Sequence, residues 1–174
     1  MTMLFIACGI LIASVGLDQL TKALAVVNLQ GEPSYPLWQD VLHFTYVENR
    51  GAAFGMLSEN RWIFMVLSTV AILGILFYLF WFRPQDKLLV ISLAMIAGGG
   101  IGNMIDRILL GYVVDFIDFT LIDFAVFNVA DSFVTVGAGI LILYLVIDIV
   151  KDIKRSRQAA QKNSEAVDGE DGHV

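Results

Sequence analysis

The stretch WIFMVLSTVAILGILFYLFWF, residues 62–82, carries no charged side chain. An α-helix rises about 1.5 Å per residue, so about 20 apolar residues cross the hydrocarbon core of a bilayer. Backbone polar groups in lipid must pair within their own segment, which favours helix. Three more segments meet the same need: about Met3–Val27, Leu88–Leu110 and Ser132–Val150. The 174-residue chain is 57% apolar, with a mean hydropathy of +0.75. Soluble domains run nearer about 45–50% apolar. The expected fold is an all-α membrane protein with four transmembrane helices. A small extracytoplasmic β element is expected between helices 1 and 2, because VLHFTYVE (41–48) is rich in strand-favouring residues.

The expected domains are 1–155, a four-helix unit with outer loops 28–61 and 110–131, and 156–174, a disordered cytoplasmic tail. The tail is polar and lacks the apolar residues to order itself. Its Glu165, Asp168, Glu170 and Asp171 carry much of the net charge of −6. With no Lys/Arg-rich face, nucleic acid is excluded as a partner. The lone Cys8 cannot form an internal disulfide. The apolar run 3–17 lacks a basic start, and apolar character resumes at Ala23, so a retained helix is expected over a cleaved signal peptide.

Arg83 and Lys87 flank the turn between spans two and three, and Lys151, Lys154, Arg155, Arg157 and Lys162 follow span four. Cations in short loops stay inside, so both termini are expected in the cytoplasm and the two other connections outside. Trp38 and Trp62 are expected near the interface as aromatic anchors.

Polar residues beside these spans are costly and point to function. Asp18 and Lys22 are four apart and can pair. Gly98, Gly99, Gly100 and Gly102 let a neighbouring helix approach closely. Asn103, Asp106 and Arg107 share one helical face near the outer end of span three. Asp106 reads either as a knot between helices three and four or as part of a site. Asp131 opens span four, where it can act as an N-cap. Asp115, in VVDF (113–116), sits outside span three and is expected to be extended. Two carboxylates held close cannot both ionise easily. One then takes a proton from water while its protonated partner polarises a carbonyl. Asp118 and Asp123 are rivals to Asp115. His43 and His173 form no zinc cluster. Ser132 has no histidine base at a suitable position, and GGGIG lies within a membrane helix, against a phosphate loop.

DQLTK (18–22), NRGAAFG (49–55), GNMIDR (102–107), VVDFID (113–118) and FNVADS (127–132) appear in this order. With them the chain resembles the lipoprotein signal peptidase (signal peptidase II) family of bacteria, over nearly everything up to about residue 150. The resemblance implies a multi-pass aspartic endopeptidase of the bacterial cytoplasmic (inner) membrane, with its active site at the outer face. It implies cleavage of prolipoprotein signal peptides just before a diacylglyceryl-modified cysteine. It places the catalytic pair on Asp115 and Asp131, and support on Asp18, Asn49, Asn103, Asp106, Arg107 and Asn128. Lys22 belongs to the first of these motifs. No cofactor and no metal are expected. The expected partners are diacylglyceryl-prolipoprotein substrates and membrane lipids, with a monomer as the working form. Small residues Gly51, Ala52, Ala53, Gly55 and Ala130 are expected to leave room for the peptide backbone. Arg50 departs from the small polar residue common at its position. A transporter using Asp18, Asp106 and Asp131 would need polar residues through the midplane, whereas these cluster at the outer ends of spans. A purely structural subunit would use the same residues only to join helices.

Overall fold

The computed structural model describes residues 2–51 and 61–170. Helix α1 (Thr2–Leu29) leads into a hairpin of β1 (Tyr35–Trp38) and β2 (Leu42–Asn49). Helix α2 (Arg61–Phe77) continues as a π-helical turn over Tyr78–Phe82. Helix α3 (Lys87–Leu109), strand β3 (Val113–Asp118), a 3₁₀ turn (Thr120–Ile122) and α4 (Val129–Glu170) complete the order. Among the described residues, four helical stretches are long and apolar enough to span a bilayer: Thr2–Leu29, Met65–Phe82, Lys87–Leu109 and Val129–Gln158. All four overlap the spans expected from the sequence.

Helix α3 is the hub, packing against α1, α2 and α4. Its buried positions are mostly small: Ser92, Ala94, Ala97, Gly98, Gly99 and Gly102. A methyl group at Gly98 would collide with the Ser14 hydroxyl, at Gly99 with the Ala130 carbonyl, and at Gly102 with Asp18. Lipid tails are as apolar as leucine, so close packing of small residues must hold such helices together. The large apolar side chains instead face outward; Phe5, Val27 and Trp81 are 73%, 81% and 72% exposed. Trp38 and Trp62 are likewise exposed.

The β element is larger than the sequence announced. β1, β2 and β3 form one antiparallel sheet in that order, so its third strand comes from the connection between α3 and α4. Asn49 lies opposite Val113, and Val47 opposite Asp115. Asn49 and Asp115 are thus diagonal neighbours on one face, within side-chain reach. Phe44, Tyr46, Phe116 and Val114 pack the other side onto Ala25 of α1.

The backbone of α4 stays helical through Glu170, where composition led to an expectation of disorder from 156. Alanine, lysine, glutamine and glutamate are good helix formers, and a helix already nucleated extends at little cost. The division of the chain at 155 remains a proposal.

Gly99→Ala is expected to destabilise the protein by about 1–3 kcal/mol through overpacking against Ala130, read as a lower melting temperature in detergent. Gly139 has open space around it, and Gly139→Ala is expected to leave the melt unchanged.

Candidate active site

The C-terminal ends of α1 and α3 meet around one buried ammonium group. Lys22 Nζ lies 2.8 Å from Asp18 Oδ2 and 3.0 Å from Asp106 Oδ2, and donates to Asn103 Oδ1 at 2.9 Å. Its three donors are satisfied in a site closed to solvent. Each partner acid then reaches a further element. Asp18 Oδ1 accepts from the Ala130 N–H at 2.9 Å, and Asp106 Oδ2 accepts from the Val114 N–H at 3.1 Å. Gln19 Nε2 bridges Asp106 Oδ1 (2.9 Å) and the Gly102 carbonyl (3.2 Å). The expected i, i+4 pair of Asp18 and Lys22 is present, and Asp106 extends it. Among the described residues, Asp106 ties α3 to α1 and β3 and makes no bond to α4, unlike the α3–α4 knot that spacing suggested.

Asp131 does not cap α4 in the expected way. Asn128 takes the N-cap position: its Oδ1 accepts from the Asp131 N–H at 3.0 Å. Asp131 Oδ2 in return accepts from the Asn128 N–H at 3.1 Å. This reciprocal arrangement is a capping box with aspartate in the third helical position. It fixes the Asp131 carboxylate at the mouth of the helix, where the dipole favours negative charge.

Asp115 is 2% exposed on β3. Its Oδ2 accepts from Asn49 Nδ2 at 2.8 Å and its Oδ1 from Asn128 Nδ2 at 2.6 Å. Asp131 Oδ1 accepts from Asn103 Nδ2 at 2.7 Å. Every oxygen of both carboxylates therefore accepts an amide N–H. The side-chain amides cannot turn around. Lys22 can only donate to Asn103 Oδ1, the Asp131 N–H donates to Asn128 Oδ1, and the Gly51 N–H donates to Asn49 Oδ1 at 3.1 Å. A proton carried by either acid must then sit on a lone pair that these amides leave free.

Burial pushes the Asp115 carboxyl up to about 6, and the charge of Asp131 adds to that rise. The donors on Asn49 and Asn128 and the charge of Lys22 oppose it. Both acids line one cavity of about 490 Å³ together with Asn49, Asn103 and Arg107. Val113, residues 124–127 and, along α4, Ser132, Thr135 and Val136 complete its wall. Arg107 donates to the Asn103 carbonyl at 3.4 Å, and its charge faces Asp131, Asp115 and Asp106.

The sequence profile described as signal peptidase (SPase) II matches residues 10–147. The chain belongs to the signal peptidase II family. It is a peptidase with four membrane-spanning helices. The lipoprotein signal peptidase of Caldanaerobacter subterraneus subsp. tengcongensis is 55% identical over 125 residues, covering 72% of this chain and 85% of that one. The lipoprotein signal peptidase of Brevibacillus brevis is 44% identical over 143 residues, covering 82% and 93%. A solved bacterial membrane enzyme is 29% identical with a TM-score of 0.74, covering 82% of this chain and 88% of its own.

The rival acids fall elsewhere. Asp118 accepts from Thr45 Oγ1 at 2.8 Å, and Asp123 is an exposed turn residue with φ of 49°. Neither lines the cavity that holds Asp115 and Asp131. Ala130 is fully buried, its N–H on Asp18 and its carbonyl against Gly99, so it serves helix packing as well as the site. Ala52, Ala53 and Gly55 lie outside the described residues. Arg50 is exposed, paired with Glu48 at 2.8 Å and lying over the Tyr112 ring. Gln19 escaped sequence reasoning although it stands inside DQLTK; an amide one residue from a buried acid was the available signal.

Lys22→Met would leave two buried carboxylates without their cation, a loss of about 3–5 kcal/mol. Glu48→Gln, at the exposed Arg50 pair, is expected to cost under about 1 kcal/mol. Thermal melts of the two variants in one detergent compare the sites directly.

Proposed function

We propose that the chain is an aspartic endopeptidase that removes signal peptides from diacylglyceryl-modified prolipoproteins, cutting just before the lipidated cysteine. The observation that carries this reading is one cavity lined by two carboxylates whose surroundings differ. Asp115 sits in a pocket that favours its neutral form. Asp131 sits in the first turn of α4, where its carboxylate accepts from the Asn128 N–H and from Asn103 Nδ2. That difference supports a division of labour between acid and base.

In the proposed step, Asp131 takes a proton from a water whose oxygen attacks the scissile carbonyl carbon. Asp115 gives its proton to the carbonyl oxygen, so a neutral gem-diol forms. On collapse the C–N bond breaks. The leaving nitrogen takes the proton held by Asp131, and the diol returns one to Asp115. Arg107 keeps positive potential beside the pair. The lipid-facing helices and the cation-rich Arg83–Lys87 turn support a bacterial inner-membrane placement with both termini cytoplasmic and the cavity at the outer face. Acyl chains anchor the substrate by roughly 0.8 kcal/mol per buried CH₂, which supports a site at the bilayer boundary with few peptide contacts of its own. The enzyme is proposed to work as a monomer without cofactor.

The test is cleavage of a diacylglyceryl-modified prolipoprotein by purified protein in detergent. Asp115→Asn and Asp131→Asn are each expected to lower turnover about 10²–10⁴-fold or more. An asparagine here turns an NH₂ toward an amide donor, so fold is checked by thermal melt and by a second variant, Asp→Ala, at each position. A well-folded variant that keeps wild-type turnover would remove that acid from the pair.

The pH profile gives a separate check. Asp115 must hold its proton, so kcat/KM is expected to fall as pH rises through about 6. Asn49 stabilises the charged form of Asp115, so Asn49→Ala raises the carboxyl further and moves the falling limb to higher pH. A limb that moves to lower pH, or stays in place, contradicts the assignment of the proton to Asp115.

A further inference from the structure

Between β3 and α4 the chain makes a closed loop whose apolar side chains point outward. Its ends are zipped by Ile117 and Phe127: the Ile117 N–H donates to the Phe127 carbonyl at 2.8 Å, and the Phe127 N–H returns a bond at 3.0 Å. The Phe116 N–H adds a third bond to the Phe127 carbonyl at 3.0 Å. Phe119 stacks on Phe127 with centroids 5.8 Å apart, and Phe124 meets it edge-on at 5.9 Å. Contacts among three rings thus hold the loop together. At its tip, the 3₁₀ turn presents Leu121 and Ile122, each 67% exposed.

An exposed aliphatic pair on an ordered, aromatic-backed turn needs a partner surface. Its place in the chain says which one. Phe127 lies two residues before Val129, where α4 begins its span. Five residues reach at most about 18 Å, so Ile122 stays near the boundary where that span leaves the bilayer. At the same end, the last turn of α3 and its C-cap present Ile108, Leu109 and Leu110, which are 66%, 74% and 49% exposed. The loop therefore continues the lipid-facing surface of the spans. From Ile108 to Val150 the sequence holds no lysine or arginine, so attraction to anionic headgroups is not the basis.

We propose that residues 119–124 form an interfacial anchor: Leu121 and Ile122 insert among lipids at the boundary of headgroup and acyl chain. The base of the loop, Phe124 to Phe127, is also a wall of the cavity that holds Asp115 and Asp131. Anchoring the tip fixes the cavity mouth at the height of the lipid boundary, a consequence that rests on the proposed cleavage of a lipid-anchored substrate. The binding is apolar, and it holds in neutral and anionic bilayers alike.

The test places a nitroxide spin label on Leu121→Cys or Ile122→Cys in a Cys8→Ala background, in nanodiscs of neutral phosphatidylcholine. Ile142→Cys, exposed on the spanning part of α4, supplies the lipid reference, and Gln158→Cys the water reference. Collision rates with oxygen and with a water-soluble nickel chelate report depth. The expected oxygen-to-nickel ratio for both tip positions lies above the water reference and toward the lipid one. A ratio equal to that of Gln158 overturns the proposal. Label-to-label broadening at the tip, the mark of a second copy seated on it, overturns it too. For the linked consequence, Leu121→Ser/Ile122→Ser is expected to raise KM for the lipidated substrate about tenfold in bilayers with kcat unchanged, since interfacial affinity follows apolar area. An unchanged KM overturns the role in access. Depth is read without catalysis, so failure of the cleavage assay and failure of the anchor remain distinct results.

Discussion

The buried ammonium of Lys22 is the interaction on which the remaining architecture depends. An unpaired charge in such a place is expensive, and an ion pair offsets that cost only when its geometry is good and its other hydrogen bonds are made. Here each partner of Lys22 holds a different piece of the protein. Asp18 holds the first turn of α4 through Ala130, Asp106 holds β3 through Val114, and Asn103 reaches Asp131. One cation on α1 thereby sets α3, β3 and α4 in place around a common point.

That convergence needs close approach of the helices, and glycine supplies it. Gly98, Gly99 and Gly102 remove the side chains that would collide with Ser14, Ala130 and Asp18. The packing seam and the polar cluster are therefore one construction. The same face of α3 that lets α1 and α4 draw near also carries Asn103 and Asp106 toward its C-terminal end.

The two carboxylates are distinguished by their surroundings rather than by their chemistry. Asp115 lies on a buried strand, where desolvation works against its charge. Asp131 lies in the first turn of a helix, its carboxylate held by the Asn128 N–H and the Asn103 amide. Three amides whose orientation is fixed from behind aim only donors at the pair. In the proposed mechanism, this polarity leaves the cavity side as the place for the transferred proton.

The sequence by itself determined the four spans, because length and apolarity suffice where the solvent is lipid. It also marked Asp115 and Asp131, because a carboxylate beside such a span stands out against its neighbours. The Asp18–Lys22 pair was legible from its spacing of four. Only the tertiary structure decided what spacing along one element cannot encode. β3 joins a sheet begun some 80 residues earlier, Asp106 turns toward α1, and Asn128 rather than Asp131 caps α4. The bonds that place Asn49, Asn103 and Asn128 on the two acids join residues 13 to 66 positions apart. Periodicity describes the face a residue occupies on its own element; which faces meet is settled by the packing of the helices and by the charge they enclose.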